Sequence, residues 1–305
     1  MKLNNLLDTF KSNSDSSNKN IVIPEQDSRI IDAKNILKKF DVNIVETSDF
    51  TCNKEKYFDY LSSLKFTDNW NKNNINQLLL DPVCFAMSMV ACGDADCMVS
   101  GATLSSSEVI RNSIRIIGMK ADAEFVSSMF FMANLEKNIY YSISDCAVIP
   151  EPNAKQLAAI AFETSNVHKL ITNEEPRIAF LSFSTYGSAS HYRVKIVQDA
   201  VKKFGLKYPN IIHEGEIQLD AAIVPDIAKY KNKKTILKGN ANVLIFPNLD
   251  AGNIGYKLMQ RFGDFMACGP ILLGLNKPSY DLSRGCTVED IVNTSLIALL
   301  NAKSS

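Results

Sequence analysis

The sequence is poor in the residues that most often announce a metal or redox centre. Its three histidines, His168, His191 and His213, lie far apart and have no partner at helical or C-x-x-C-type spacing. A zinc site is therefore not expected, and no metal is assigned. Seven cysteines occur, yet no two of them stand as C-x-x-C. An odd count, mostly in apolar runs such as Pro82-Val-Cys-Phe-Ala-Met, points to reduced thiols and a cytoplasmic protein. Neither G-x-G-x-x-G nor G-x-x-x-x-G-K-[ST] is present, so the common nucleotide fingerprints are missing. No apolar run approaches the roughly 20 residues of a membrane span. The start, Met1-Lys-Leu-Asn-Asn, is too polar for a secretory apolar core. Basic and acidic residues balance at 33 each. No overall field draws the chain to nucleic acid or to an acidic membrane. An anion would have to be held locally, by a few arginines and helix ends.

What is present reads as an ordinary globular chain. Its 305 residues are 46% hydrophobic and 22% charged, enough for one large domain or two modest ones. Residues 12–20 are polar and read as a turn. Ile21-Val-Ile-Pro24 reads as a strand, and Asp27-Ser28 as the cap of a helix with Ile30, Ile31, Ala33, Ile36 and Leu37 on its apolar positions. Val42–Val45 is the next strand, and this strand–helix–strand spacing argues for a parallel sheet. Residues 51–80 are lysine-rich and helical. Asp81–Gly93 reads as a buried helix, Cys97–Ser100 as a strand, Gly101–Ser107 as a small-residue loop and Glu108–Ile117 as a helix. Phe125–Leu135 and Ile139–Ile143 read as neighbouring strands. Two strand-then-helix units follow, Arg177–Phe183 with residues 192–204 and Asn242–Pro247 with residues 251–263. The expected class is α/β, doubly wound and mostly parallel, with ligands at the carboxyl ends of strands.

Four segments could carry chemistry. Ser283, Arg284 and Asp290 lie within Asp281-Leu-Ser-Arg-Gly-Cys-Thr-Val-Glu-Asp-Ile. Here a bidentate cation, a hydroxyl and a carboxylate precede a new helix. Capping competes as an explanation, because Thr287 and Asp290 fit a capping box. Ser105-Ser106-Ser107 with Arg111 offers hydroxyls and a guanidinium at a strand-to-helix junction; ordinary capping and a solvated arginine are the alternative. Ser182-Phe-Ser184-Thr185-Tyr-Gly187-Ser188-Ala189 follows a hydrophobic strand and could equally be a plain loop. The acids of His213–Asp220 suggest a metal, but a solvated turn and cap is the reading preferred.

Together these segments resemble phosphate acetyltransferase over nearly the whole chain. The resemblance rests on Ile21-Val-Ile-Pro-Glu25, Val99-Ser-Gly-Ala-Thr, Leu181-Ser-Phe-Ser-Thr-Tyr-Gly-Ser, Gly215-Glu-Ile-Gln-Leu-Asp-Ala-Ala-Ile-Val-Pro, Phe246-Pro-Asn-Leu-Asp-Ala-Gly-Asn-Ile-Gly-Tyr and the Asp281–Ile291 stretch. It implies a two-domain α/β/α architecture like that of isocitrate and isopropylmalate dehydrogenases. Domain I would take residues 1–122 with 271–305, domain II residues 123–270, and the active site the cleft between them. It implies reversible transfer of acetyl between CoA and phosphate, with CoA, acetyl phosphate and phosphate as substrates and no bound cofactor. It also implies a cytoplasmic homodimer. Ser283, Arg284 and Asp290 fall on the family's catalytic residues. Arg111 falls on a CoA-associated arginine, Ser106 in the matching serine loop, and Ser184, Thr185, Gly187 and Ser188 in a substrate-binding loop. Lys65 stands where the family often has a second CoA-associated arginine, keeping the charge without the fork. Leu104 replaces a common histidine, and Tyr186 stands where Gly or Lys is usual.

The mechanism so implied is direct. Arg284 holds the phosphoryl group, Asp290 takes the proton of the CoA thiol, and Ser283 steadies the developing oxyanion or the leaving phosphate. An aspartate near 3.9 is a weak base for a thiol near 8.5, so Asp290 either has a raised pKa or orients the thiol. Cys286, near a helix start, is a rival nucleophile. The competing functions are a butyryl-specific transferase, a decarboxylating dehydrogenase of the related fold, and a CoA-binding homologue without turnover.

Overall fold

The computed structural model describes residues 19–232 and 234–302. The turn expected over 12–20 lies outside the described residues except at its end. Lys19 there is buried, and Asn20 already starts a strand. Ten strands are described: β1 Asn20–Val22, β2 Asn43–Val45, β3 Cys97–Ser100, β4 Ser127–Asn134, β5 Ile139–Ser144, β6 Arg177–Leu181, β7 Ile212–Ile217, β8 Val243–Ile245, β9 Met266–Leu273 and β10 Ser279–Asp281. The chain divides into two compact units, Met1–Val126 with Gly269–Ser305, and Ser127–Cys268.

The first unit is built on a sheet of order β10-β3-β1-β2, parallel throughout. Its strands are short, and β1, β3 and β10 are almost wholly buried, as expected of a sheet covered by helices. Asp27 caps helix Ser28–Lys38, its side chain accepting from Arg29 N, and Asp81 caps helix Pro82–Ala91. The lysine-rich stretch resolves into a 3-10 turn Thr47–Asn53 and helices Lys54–Ser62 and Lys72–Leu78. Tyr57, Leu61, Val83, Met87, Val90 and Met98 form the middle of its apolar cluster. Each such side chain removed from water contributes roughly 1.5–3 kcal/mol. The helix expected from Glu108 starts at Ser106, runs to Asn112 and widens into a π-turn over Ser113–Ile117. From the edge strand β2 the chain crosses back past β1 to β3, so strand order reverses at β1/β3, and the segments leaving their carboxyl ends border the crevice where such sheets bind ligands.

The second unit carries a six-stranded sheet of order β7-β6-β8-β5-β4-β9. The pairs β6/β7, β6/β8 and β5/β8 are parallel, while β4 and β5 form an antiparallel pair. Two features depart from the sequence reading. The 19-residue helix Ala154–Thr172 arises in a stretch left unassigned; Thr164, Ser165 and His168 occupy its buried stripe and blur the apolar period. The acidic run expected as a solvated turn is instead strand β7. Period-two alternation puts Glu214 and Glu216 on one face, and both are buried. Among the described residues no helix is long and apolar enough to cross a membrane.

Candidate active site

In the first unit, the carboxyl ends of β1, β3 and β10 release three segments that interlock. β10 ends at Asp281, and Leu282 N donates to Ser100 O at 2.8 Å, continuing the pairing with β3. The chain then turns tightly, with Cys286 N donating to Ser283 O at 2.8 Å and Gly285 N to Ser283 Oγ at 3.3 Å. Ser283 and Arg284 are exposed on this turn. Among the described residues the Arg284 guanidinium has no hydrogen-bond or ion-pair partner, so its fork is free for a ligand. Helix Val288–Asn301 follows, closed by a capping box. Thr287 N donates to Asp290 Oδ2 at 2.8 Å, and Asp290 N to Thr287 Oγ1 at 3.1 Å. The capping role weighed for Asp290 is thus observed, and its carboxylate remains half-exposed.

Arg29, which sequence reasoning passed over, holds this turn, and Glu25 holds the loop beside it. Arg29 Nη1 donates to both Arg284 O and Cys286 O at 2.9 Å, and Nη2 to Ala102 O at 3.1 Å. Asp27 accepts from Arg29 Nε and Nη2, both at 2.9 Å, and fixes the guanidinium. Glu25 is buried and takes four donors. Its Oε2 accepts from Gly101 N and Ala102 N at 2.7 and 3.2 Å, its Oε1 from Thr103 N and Oγ1 at 2.8 and 2.6 Å. Glu25 was visible only as part of the Ile-Val-Ile-Pro-Glu motif, and no local signal distinguished Arg29.

Ser106 and Arg111 are exposed on the helix that follows the Glu25-bound loop. Glu108 closes its start, accepting from Ser105 Oγ at 2.6 Å and Ser105 N at 3.2 Å. Lys65 is exposed in the 3-10 turn Lys65–Thr67. That turn lies against the π-turn beyond Arg111, since Tyr60 OH donates to Ile116 O and the Arg115 guanidinium lies 5.7 Å over the Phe66 ring. Arg115, four residues after Arg111, adds a cation to this face.

In the second unit, the loop after β6 is bound by its own side chains. Ser184 is fully buried, donating to Glu216 Oε1 at 3.0 Å; Gly187 N donates to the same oxygen at 2.7 Å. Thr185 Oγ1 donates to Gln218 Oε1 at 3.2 Å, and Thr185 N to Ser188 Oγ at 3.0 Å. Gly187 is exposed at φ +82°, a left-handed conformation that favours glycine. Tyr186 OH donates to Glu214. Glu214 and Glu216 therefore brace this loop, and among the described residues no group of three or more His, Cys, Asp or Glu could hold a metal ion.

Cys286 is buried, and desolvation pushes its thiol up to about 11, although Arg29 opposes the shift. A nucleophilic thiolate is not available there.

A family model described as phosphate acetyl/butaryl transferase matches residues 19–299. The phosphate acetyltransferase of Bacillus subtilis (strain 168) is 46% identical over 224 residues, covering 73% of this chain and 68% of the relative. That of Borreliella burgdorferi is 38% identical over 297 residues, covering 92% and 83%. The crystal structure of a phosphotransacetylase from Streptococcus pyogenes superposes with a TM-score of 0.87 at 33% identity, covering 99% of each chain. With its matched segments spread from β1 to the last helix, the chain belongs to the phosphate acetyl/butaryl transferase family.

Proposed function

We propose that this chain catalyses reversible acetyl transfer between CoA and inorganic phosphate, acetyl-CoA + phosphate = acetyl phosphate + CoA. One observation carries the reading of the site: Arg284 presents a guanidinium without a partner among the described residues, on a turn whose backbone Arg29 clamps. Ser283 stands beside it, and Asp290 opens the next helix. Arg284 grips the phosphoryl group through two parallel N–H donors. The CoA thiol loses its proton towards Asp290 as sulfur attacks the acetyl carbonyl. The C–O bond to phosphate breaks, and Ser283 donates to the oxygen that gains charge. CoA serves as a substrate and leaves in each turnover. Arg111, Lys65 and Ser106 contribute cationic and hydroxyl contacts to CoA, while Gly187 and Ser188 shape a substrate-facing loop that Ser184 and Thr185 hold from behind.

A homodimer fits this reading. Helix Leu249–Phe262 exposes Ile254, Leu258 and Phe262 at 58%, 51% and 83%, an apolar row that a second copy would cover. Light scattering of the purified chain tests it.

Purified protein is mixed with CoA and acetyl phosphate, thioester absorbance is followed, and Arg284→Ala runs beside it. Rapid thioester formation that the variant loses supports the transferase and its phosphate grip. Thermal stabilisation by CoA without turnover would instead mark a binding homologue. Faster turnover of butyryl phosphate than of acetyl phosphate would reassign the acyl group.

A further inference from the structure

Asp281 closes β10, two residues before Ser283. It is completely buried, and neither carboxylate oxygen has a hydrogen-bond partner of ordinary geometry. Ser100, its partner in the β3/β10 register, is equally buried, and its hydroxyl is also unpartnered. Oδ1 lies so close to Gly101 that a Cβ there would meet it at 2.1 Å. The Ser106 hydroxyl and the Leu282 N–H, one on each side, oppose the burial but act more weakly than it does.

The contrast with Glu25 is instructive. Both carboxyls serve the loop that begins at Gly101, but Glu25 takes its donors, three N–H groups and a hydroxyl. Asp281 receives none of them. A buried carboxylate with four well-aimed donors can stay ionised, while one whose burial outweighs its few donors is driven to hold a proton. The direction agrees: burial pushes the Asp281 carboxyl up to about 7, with the Glu25 charge acting the same way.

On the reading of Arg284 as the phosphate grip, we infer that Asp281 is a positioning residue that works as an uncharged carboxylic acid, filling the space between the Gly101–Ser106 loop and the Ser283–Arg284 turn without setting a second negative charge beside the bound anion. As pH rises and Asp281 ionises, the anion loses affinity through like-charge repulsion. The titratable groups on the surrounding elements are Glu25; Asp27, which caps helix Ser28–Lys38, and Arg29, Asp32, Lys34 and Lys38 on that helix; Cys97 on β3; Glu108 and Arg111 on helix Ser106–Asn112; Tyr280 on β10; Arg284 and Cys286 on the turn; and Glu289 and Asp290 on the last helix. Among the described residues only Asp281 has both carboxylate oxygens buried and without a partner at hydrogen-bond geometry.

The test compares full-length wild-type protein with Asp281→Asn, which keeps the shape of the neutral acid. KM for acetyl phosphate and kcat are measured from about pH 6 to about pH 9, the window in which such an acid ionises. Taking the ratio of the two proteins at each pH cancels the titration of substrate and CoA. The expected ratio of wild-type to variant KM is near one at the acid end and rises on the order of tenfold at the alkaline end, with the kcat ratio level. A KM ratio that stays level while both proteins turn over overturns this inference and leaves the acetyl-transfer reading standing. A folded wild-type protein without turnover removes that reading and this role with it. Should Asp281→Asn not fold, Asp281→Ser, smaller and also neutral, carries the same comparison.

Discussion

One guanidinium nitrogen, Arg29 Nη1, donates to the carbonyl oxygens of both Arg284 and Cys286 at 2.9 Å. These bonds span more than 250 positions of sequence, so the end of the chain is registered against its beginning. Replacing Arg29 with Met removes them, leaves three carbonyl oxygens without this donor and leaves Asp27 with the backbone N–H of residue 29 but not the guanidinium. We expect a loss of about 2 kcal/mol or more in stability and a fall of roughly 10²-fold in turnover, the cost of about 1 Å of misplacement at a reacting group. Lysine should not restore activity, because one ammonium cannot reproduce a planar fork. Chemical denaturation and steady-state kinetics read the two effects separately.

Asp290 serves as cap and as the proposed proton acceptor, and two substitutions separate these. Asparagine can still accept from Thr287 N, so Asp290→Asn should retain most of the stability. Asp290→Ala should lose about 1 kcal/mol. Turnover should fall at least 10²-fold in both if the carboxylate moves the thiol proton. Turnover within a few-fold of wild type in Asp290→Asn would reduce its part to capping.

Glu216 supports the loop after β6. Desolvation is the largest single influence on it and acts upwards. The Gly187 N–H and further donors, the Ser184 hydroxyl among them, prevail and hold the carboxyl below its ordinary value. A lowered folded-state pKa contributes stability that is present above the unfolded-state value and lost as pH falls through the folded one. Wild type should therefore weaken in acid more steeply than Glu216→Gln, whose side chain does not titrate. Urea midpoints from about pH 6 to about pH 3 check this.

His168 is buried, Nδ1 lies 2.9 Å from Ser142 Oγ, and Nε2 has no partner among the described residues. Desolvation lowers its pKa to about 4, with Arg177 acting the same way and Glu174 opposing. The folded protein thus favours the neutral ring. Its contribution is complete above the unfolded value near 6.5 and is lost as pH falls towards about 4, some 3 kcal/mol across the interval. His168→Gln should flatten the stability profile between those limits. An unchanged profile would show that the ring charges without cost.

Much of the fold was legible because local pattern and final environment agree. β1, β3, β6 and β8 are short apolar runs that became buried parallel strands; helix Ser28–Lys38 starts at Asp27, expected to cap it, and helix Pro82–Ala91 follows Asp81, where a buried helix was expected to begin. Helix Ala154–Thr172 escaped because polar side chains fill part of its inward face, although Asn153 and Gln156 form a capping box at its start. β7 escaped because its alternating glutamates look solvated until the loop they brace is in place.

By itself the sequence determined the family, the chemistry-bearing stretch from Asp281 to Ile291 and the helix that must follow it, since caps and motifs act over a few residues. Tertiary structure alone decided which carboxyls find donors. Glu25 and Asp281 are both buried acids, one just after β1 and the other at the end of β10, the two strands that flank β3. Among the described residues one meets four donors at hydrogen-bond geometry, while the other has none at that geometry. That difference comes from backbone N–H groups 76 to 78 positions from Glu25. Only closing the sheet aims those groups at one acid and away from the other.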